Sequence, residues 1–336
     1  MTPKPKHSTT GTTAESADIS SSVDTTVANL MVAHLTIADL KSSKSRKNRQ
    51  KAVHAGLALA AMVSVAVSGF IVWSLISETW TFIVEVEWSQ IFNIGWFPRR
   101  GIYDVSTLLT ATLITTAIAM LIATPLGLGA AIYLSEYARS STRAFIKPIL
   151  EILAGIPSVV LGFFALYWVA PEVIGRISDN STGSLAAAGV GVGILTIPLI
   201  ASISEDAMTA VPSSLREAST GLGSRKTATT LRIVLPAAIS GIVASLIVAV
   251  SRAIGETMVV FLAGGAGDTA LFTSSPTDSG LTMTAAMASL ASGTDNVVGE
   301  GLTVQSLYFI GFLLFIFTLF LNLVANRFVR RIQEKY

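Results

Sequence analysis

Arg216-Glu217-Ala218-Ser219-Thr220-Gly221-Leu222-Gly223, running on through Arg225-Lys226 to Ile233-Val234-Leu235-Pro236, is a polar island between apolar runs long enough to cross a bilayer. A segment tethered to the membrane at both ends in this way faces water, where a partner can grip it. Pro212-Ser213-Ser214 predicts a helix start with a serine cap and Glu217 in the first turn, near the positive end of the helix dipole. Gly221 and Gly223 predict a break, Ser224-Arg225-Lys226 the start of a second short helix, and Pro236 the entry into the next membrane helix. The expected shape is a compact knob of two short helices around a glycine bend. The plainer reading of the same residues is an ordinary connector between two spans.

Composition places this loop in an integral membrane protein: 51% of residues are hydrophobic and 13% charged, with a mean hydropathy of +0.64, where a soluble domain carries about 25% charged residues. With no cysteine there is no disulfide framework and no thiol nucleophile, and the three histidines, His7, His34 and His54, sit in or near the N-terminal arm. No metal site and no cofactor are therefore expected. Residues 1–50 form a separate arm: Ser, Thr and Ala dominate 8–26, an amphipathic helix is possible over 27–40, and Lys41, Lys44, Arg46, Lys47, Arg49 and Lys51 follow as a basic cluster. A basic run directly before an apolar span is a topology signal more often than a nucleic-acid arm, so no nucleic-acid partner is expected.

Six spans are predicted, at 55–76, 106–134, 149–174, 185–203, 237–264 and 303–325, the first an uncleaved signal anchor. The domain plan is an arm over 1–50, a first span with its outer loop over 51–104, a permease-like core over 105–329 that carries the polar loop at 205–236, and a tail over 330–336. Of the 23 Lys and Arg, only Arg99, Arg100 and Arg176 fall in the outer loops when the N-terminus is placed inside, and Arg252 lies within a span. The positive-inside rule then puts both termini in the cytoplasm of a multi-pass protein of the cell membrane. Trp73, Trp80, Trp88, Trp96 and Trp168 fall at or beyond the outer ends of the first three spans, at headgroup level. The segment 78–104 is expected to rest on the outer membrane face, and 282–290 to form a short helix that lines the outer mouth.

Two constellations inside the membrane suggest a path. Pro125, Gly127, Gly129, the Gly155-Ile156-Pro157-Ser158 stretch, Gly189, Gly191, Gly193 and Pro198 loosen the second to fourth spans, either as packing kinks or as broken helices around a route for solute. Pro157 falls about eight residues into its span, roughly 12 Å deep, from where Ser158 faces the centre. The second is Ser251-Arg252-Ala253-Ile254-Gly255-Glu256-Thr257-Met258, in which Arg252 and Glu256 share one helical face at i, i+4. A membrane charge costs at least about 2.5–3.5 kcal/mol at the bilayer centre unless it is paired or wetted. Either the pair is a static lock, or Arg252 attracts an anion and Glu256 releases or gates it.

The spacing Glu217-Ala218-Ser219, three residues, Gly223, nine residues, Ile233-x-Leu235-Pro236 resembles the EAA loop of ABC importer permeases, with Ser219 its one departure. Together with GIPSVV at 155–160, RAIGETM at 252–258 and LTMTA at 281–285, in that order, the chain resembles the phosphate-specific ABC transport permeases of the PstC type over 106–329. That resemblance implies an all-α polytopic membrane protein with six transmembrane helices in the MetI-like type I importer fold. It implies a companion permease of the PstA type, ATPase subunits of the PstB type docking on the loop residues Glu217, Ala218, Gly223, Arg225, Leu235 and Pro236, and an extracytoplasmic phosphate-binding protein of the PstS type. The path residues would be Arg252, Glu256, Thr257, Pro157 and Ser158. Because the chain has no G-x-x-x-x-G-K-S/T loop, it is not expected to be an enzyme; ATP hydrolysis belongs to a partner. Other readings are a permease for sulfate or molybdate, an ion-coupled secondary phosphate transporter built on Glu256, and a membrane scaffold.

Overall fold

The structure, a computed structural model, describes residues 44–91, 95–178, 183–265, 270–292 and 301–333. Most of the N-terminal arm, the helix expected over 27–40 and the last residues of the tail lie outside them. The chain divides into two compact units, residues 1–71 and 72–336. The described part of the first is a stretch of α1 (Lys44–Glu85), a helix free of proline and rich in Ala, Val and Leu that runs further in both directions than the span expected at 55–76.

In the second unit, two short strands, β1 (Trp96–Phe97) and β2 (Ile102–Tyr103), pair antiparallel with Trp96 opposite Tyr103. They are the one departure from an all-helical fold among the described residues. Gly101 closes the turn at φ +69°, a left-handed conformation that favours glycine. Trp96 is buried edge-on to Tyr103 with ring centroids 5.8 Å apart, and its backbone N–H donates to the Ala270 carbonyl at 2.7 Å. The indole is thus a core residue and not the headgroup anchor expected; Trp73, Trp80, Trp88 and Trp168 are exposed. Phe82 stacks on Phe309 at 4.7 Å and meets Tyr103 edge-on at 5.0 Å, which makes this region a packed cap.

Asp104 joins the cap to α2 (Val105–Ile132). It accepts from the Ser106 amide (3.0 Å) and hydroxyl (2.6 Å), the Thr107 hydroxyl (2.6 Å) and the Gly95 amide (3.3 Å). Burial pushes its carboxyl up, but these hydrogen bonds to the charged form outweigh burial and leave it below the usual carboxylate range. α2 continues through a π-helical turn at Tyr133–Tyr137.

α2 packs most extensively against α5 (Leu185–Thr209), which starts on a Ser184 side-chain cap. Neither helix breaks at its proline, Pro125 or Pro198. The expected loosening is replaced by close approach: a Cβ at Gly189 would lie 2.8 Å from Ile118 and 3.0 Å from the Thr115 carbonyl, and one at Gly127 would lie 2.7 Å from Ile200. Small residues let the backbones touch, which is how helices pack where lipid supplies no hydrophobic drive between them.

Between these helices lie α3 (Ser140–Ala154) and α4 (Ser158–Phe164), the latter continuing in wider turns to Ile174. The two are bent 85° at Gly155-Ile156-Pro157. The third span expected at 149–174 is therefore two elements, because proline has no N–H for the helix ladder and disfavours helical backbone in the residue before it.

After α5 come α6 (Ser213–Gly221) and α7 (Lys226–Thr229), which passes through a π-helical turn at Thr230–Val234 into α8 (Leu235–Ile254). Lys226–Ile254 is one continuous helix, with Pro236 in the first turn of α8, where the entry was expected, and the fifth span ends short of the 264 expected. α9 (Met258–Ala263), α10 (Met283–Ala291) and α11 (Thr303–Gln333) complete the unit. α10, the short helix expected over 282–290, buries Met283, Thr284, Ala285, Ala286 and Leu290 and is held by the Met283 N–H donating to Thr112 Oγ1 at 3.0 Å. Among the described residues five helices are long and apolar enough to cross a membrane, and the bent α3–α4 pair makes a sixth.

Candidate functional site

The polar loop folds as the two short helices expected, with differences in how they start. α6 begins at Ser213 with Pro212 before it and no side-chain cap, so Glu217 falls beyond the first turn, away from the dipole end. α7 begins at Lys226, also without a side-chain cap. Gly223 makes the break at φ +81°, while Gly221 stays helical. Glu217, Ala218, Gly223 and Arg225 are exposed, Leu222 at the tip is 88% exposed, and Leu235 and Pro236 are half-buried at the root. Ser219, the one departure from the EAA pattern, is buried, and its hydroxyl lies 2.8 Å from that of buried Thr229. That contact joins α6 to α7 and satisfies both hydroxyls.

Two ionic joints tie this end of the bundle together. Arg216 on α6 donates to Glu136 Oε1 from Nη2 (2.9 Å) and Nε (3.2 Å), and to the carbonyls of Met208 (2.7 Å) and Val211 (2.6 Å) at the end of α5. Glu205 on α5, with a side chain 1% exposed, pairs with Arg143 and with Lys147 Nζ (2.9 Å), both on α3. Lys147 also reaches Asp206 at 2.5 Å. Nothing in the spacing marks these pairings. The available signal was Glu205-Asp206 standing at the end of an apolar run, since carboxylates there need cations from another segment.

The candidate path residues cluster around the breaks before α4 and α9. Pro157 is exposed at the elbow of the bent α3–α4 pair, and Ser158 is the first residue of α4. α4 packs on α9 so closely that a Cβ at Gly162 would lie 3.1 Å from the Met258 carbonyl and 2.8 Å from Leu262. α8 ends at Ile254, and the expected i, i+4 face stops there. Glu256 stands in the break, where Oε1 accepts from the Val259 amide at 3.4 Å and its carbonyl accepts from Thr284 Oγ1 at 2.7 Å. Among the described residues no ion pair joins Arg252 to Glu256, and Arg252 is exposed. Thr257 lines a cavity of about 310 Å³ with Gly255, Thr284, Met287 and Leu307.

Residues 123–336 match the family described as binding-protein-dependent transport system inner membrane component. Curated relatives include the phosphate transport system permease protein PstC of Mesorhizobium japonicum, 31% identical over 304 residues and covering 84% of this chain and 90% of the relative. PstC 1 of Mycobacterium tuberculosis is 31% identical over 259 residues, 70% of this chain and 75% of its own length. Among solved structures, a chain of a bacterial ABC transporter for import of the acidic polysaccharide alginate superposes with a TM-score of 0.56 at 14% identity, covering 84% of this chain and 99% of that one. A chain of the inward-facing MetNI methionine ABC transporter gives 0.50 at 20% identity over 68% and 94%. These two speak for the fold, and the sequence relatives for the lineage: the chain belongs to the binding-protein-dependent transport system inner membrane components, as a permease of the PstC type.

Proposed function

We propose that this chain is the permease subunit of an ATP-driven phosphate importer. It forms half of the translocation path with a companion permease of the PstA type and receives its drive from PstB-type ATPases docked on α6 and α7. A PstS-type binding protein delivers phosphate on the far side. The observation that carries the reading is the unpaired, exposed Arg252 at the end of α8, beside a helix break, in a chain whose curated relatives are phosphate permeases. An arginine with no carboxylate partner among the described residues can meet an anion across a subunit boundary, and its planar fork binds two phosphate oxygens together. Glu256 is turned aside to the start of α9, which leaves that face of Arg252 open. Ser158 opens α4, whose first N–H groups favour negative charge at the same level of the fold as the elbow.

The two termini and the polar loop lie on the cytoplasmic side in this reading, from the distribution of Lys and Arg. Since the chain has no cysteine, single-cysteine probes at exposed Leu222 and Ser274 test the orientation: Leu222→Cys should react only after the membrane is opened, Ser274→Cys without opening it. The substrate test is uptake by the complete complex in proteoliposomes with phosphate, sulfate or molybdate offered singly. Phosphate uptake alone is expected; preferential uptake of sulfate or molybdate would replace the substrate, and uptake driven by an ion gradient without ATP would replace the mechanism.

A further inference from the structure

No residue of α3 is buried, so no apolar core fastens this helix to the bundle. Its attachment to α5 runs through Glu205, whose buried carboxylate is surrounded by Arg143, Lys147 Nζ at 2.9 Å and the Thr209 hydroxyl at 3.1 Å. Removing one member of such a cluster leaves a buried charge without compensation, so the joint resists sliding. Arg216 makes the second joint: one guanidinium binds the Glu136 carboxylate at the end of α2 and two carbonyls at the end of α5. A planar fork with fixed donor directions holds those three acceptors in one geometry. The contacts then form a continuous mechanical series, from α6 through Arg216 to the ends of α2 and α5, from α5 through Glu205 to α3, and from α3 through the 85° elbow to Ser158 and α4.

We propose that Arg216 and Glu205 are positioning residues for transport, the two joints that pass a displacement of the ATPase-docking helix α6 to the α3–α4 elbow. The inference rests on the reading of the chain as an ATP-driven permease. Rigid elements joined by charge clusters move together, whereas a helix held only by exposed contacts would be left behind when its neighbours tilt.

The test measures ATP hydrolysis and phosphate uptake in parallel in the full reconstituted complex. Glu205→Gln keeps the side chain's size, and Arg216→Lys keeps the charge without the fork. Each should leave hydrolysis near wild type while uptake falls by about tenfold, within the range for residues that carry coupling between sites. A second variant guards against a folding defect. Arg143→Cys with Glu205→Cys, in this cysteine-free chain, should show the same uncoupling, and bridging the pair with a short bismaleimide should restore uptake. Normal uptake in the single variants, a parallel fall of uptake and hydrolysis, or a bridged complex that hydrolyses ATP without transport would each overturn the proposal. Independently of the solute, spin labels on Leu222→Cys and Ile152→Cys should change separation on ATP binding, and Glu205→Gln should abolish that change; an unaltered change would also overturn it. Absence of phosphate uptake by the wild-type complex would instead overturn the substrate reading, and the label distances would still decide the joints.

Discussion

The two ends of the bundle are held by different chemistry. At the cap end, Phe82, Trp96, Tyr103 and Phe309 pack as a buried aromatic cluster, and the buried charge there, Asp104, has its oxygens filled by local amides and hydroxyls. At the loop end, elements are tied by long side chains bridging between helices: Arg216 to Glu136, and Arg143 and Lys147 to Glu205. Aromatic packing at crystal-like density has one good arrangement and resists deformation. Ionic clusters tie separate helices to one another at a few points, so that one helix moves with the next. One end is thus a packed core, and the other a set of ionic joints between helices.

The comparison breaks first at the docking loop. Glu217→Lys and Gly223→Trp should leave membrane insertion intact while abolishing uptake and co-purification with the ATPase; recovery of a normal amount of ATPase with both would show that the exposed face of α6 is not the docking surface. At Gly223 the change acts through the left-handed backbone, where any residue with a Cβ is strained, even though no neighbour stands within 4 Å. Phe82→Ala tests the other end. It should destabilise the unit by about 3–5 kcal/mol through lost burial and the cavity left behind, read as a lower unfolding temperature in detergent, with the ATPase still bound. Loss of ATPase binding in this variant would mean that the two ends are not independent.

Asp104→Ala should cost about 0.5–2 kcal/mol, the range for a lost helix cap. Its pH dependence has a definite sign. A carboxyl held below its usual range contributes stability that is present above its unfolded value of about 3.9 and is lost as pH falls through the folded value. The gap in stability between wild type and variant should therefore narrow in acid, and a gap that widens there would contradict the assignment. The smallest effect is expected for Ser219→Ala, which restores the EAA pattern but takes from buried Thr229 its 2.8 Å partner, at about 1 kcal/mol or less. A gain in stability would mean that the Ser219–Thr229 contact holds nothing together.

How much of this was legible before the fold was known follows the range of each signal. Hydropathy located the crossings because bilayer thickness sets their length, and the loop at 216–236 was legible because its spacing is local. Hydropathy carries no direction, so the apolar run over 149–174 read as one span although Pro157 turns the chain by 85° within it. The same blindness hid the end of α8 at Ile254, which separates Arg252 from Glu256. The joints were invisible for another reason. Arg216 and Glu136 are 80 residues apart, and a charge in a loop looks the same whether it is solvated or holds two helices together. The cap hairpin, too short to show alternation, was missed, and Trp96 was read as a headgroup anchor because tryptophan suits either place.

The central claim is that Arg252 meets the transported anion and is not half of a lock with Glu256. It is tested most directly by phosphate uptake in the double variant Arg252→Gln with Glu256→Gln, normalised to assembled complex. A neutral pair of this kind can satisfy its own hydrogen bonds, so a lock would survive the change, whereas an anion path loses its attractor. The account predicts that uptake is lost while the complex still assembles and hydrolyses ATP; near-normal uptake would contradict it and remove Arg252 from the path.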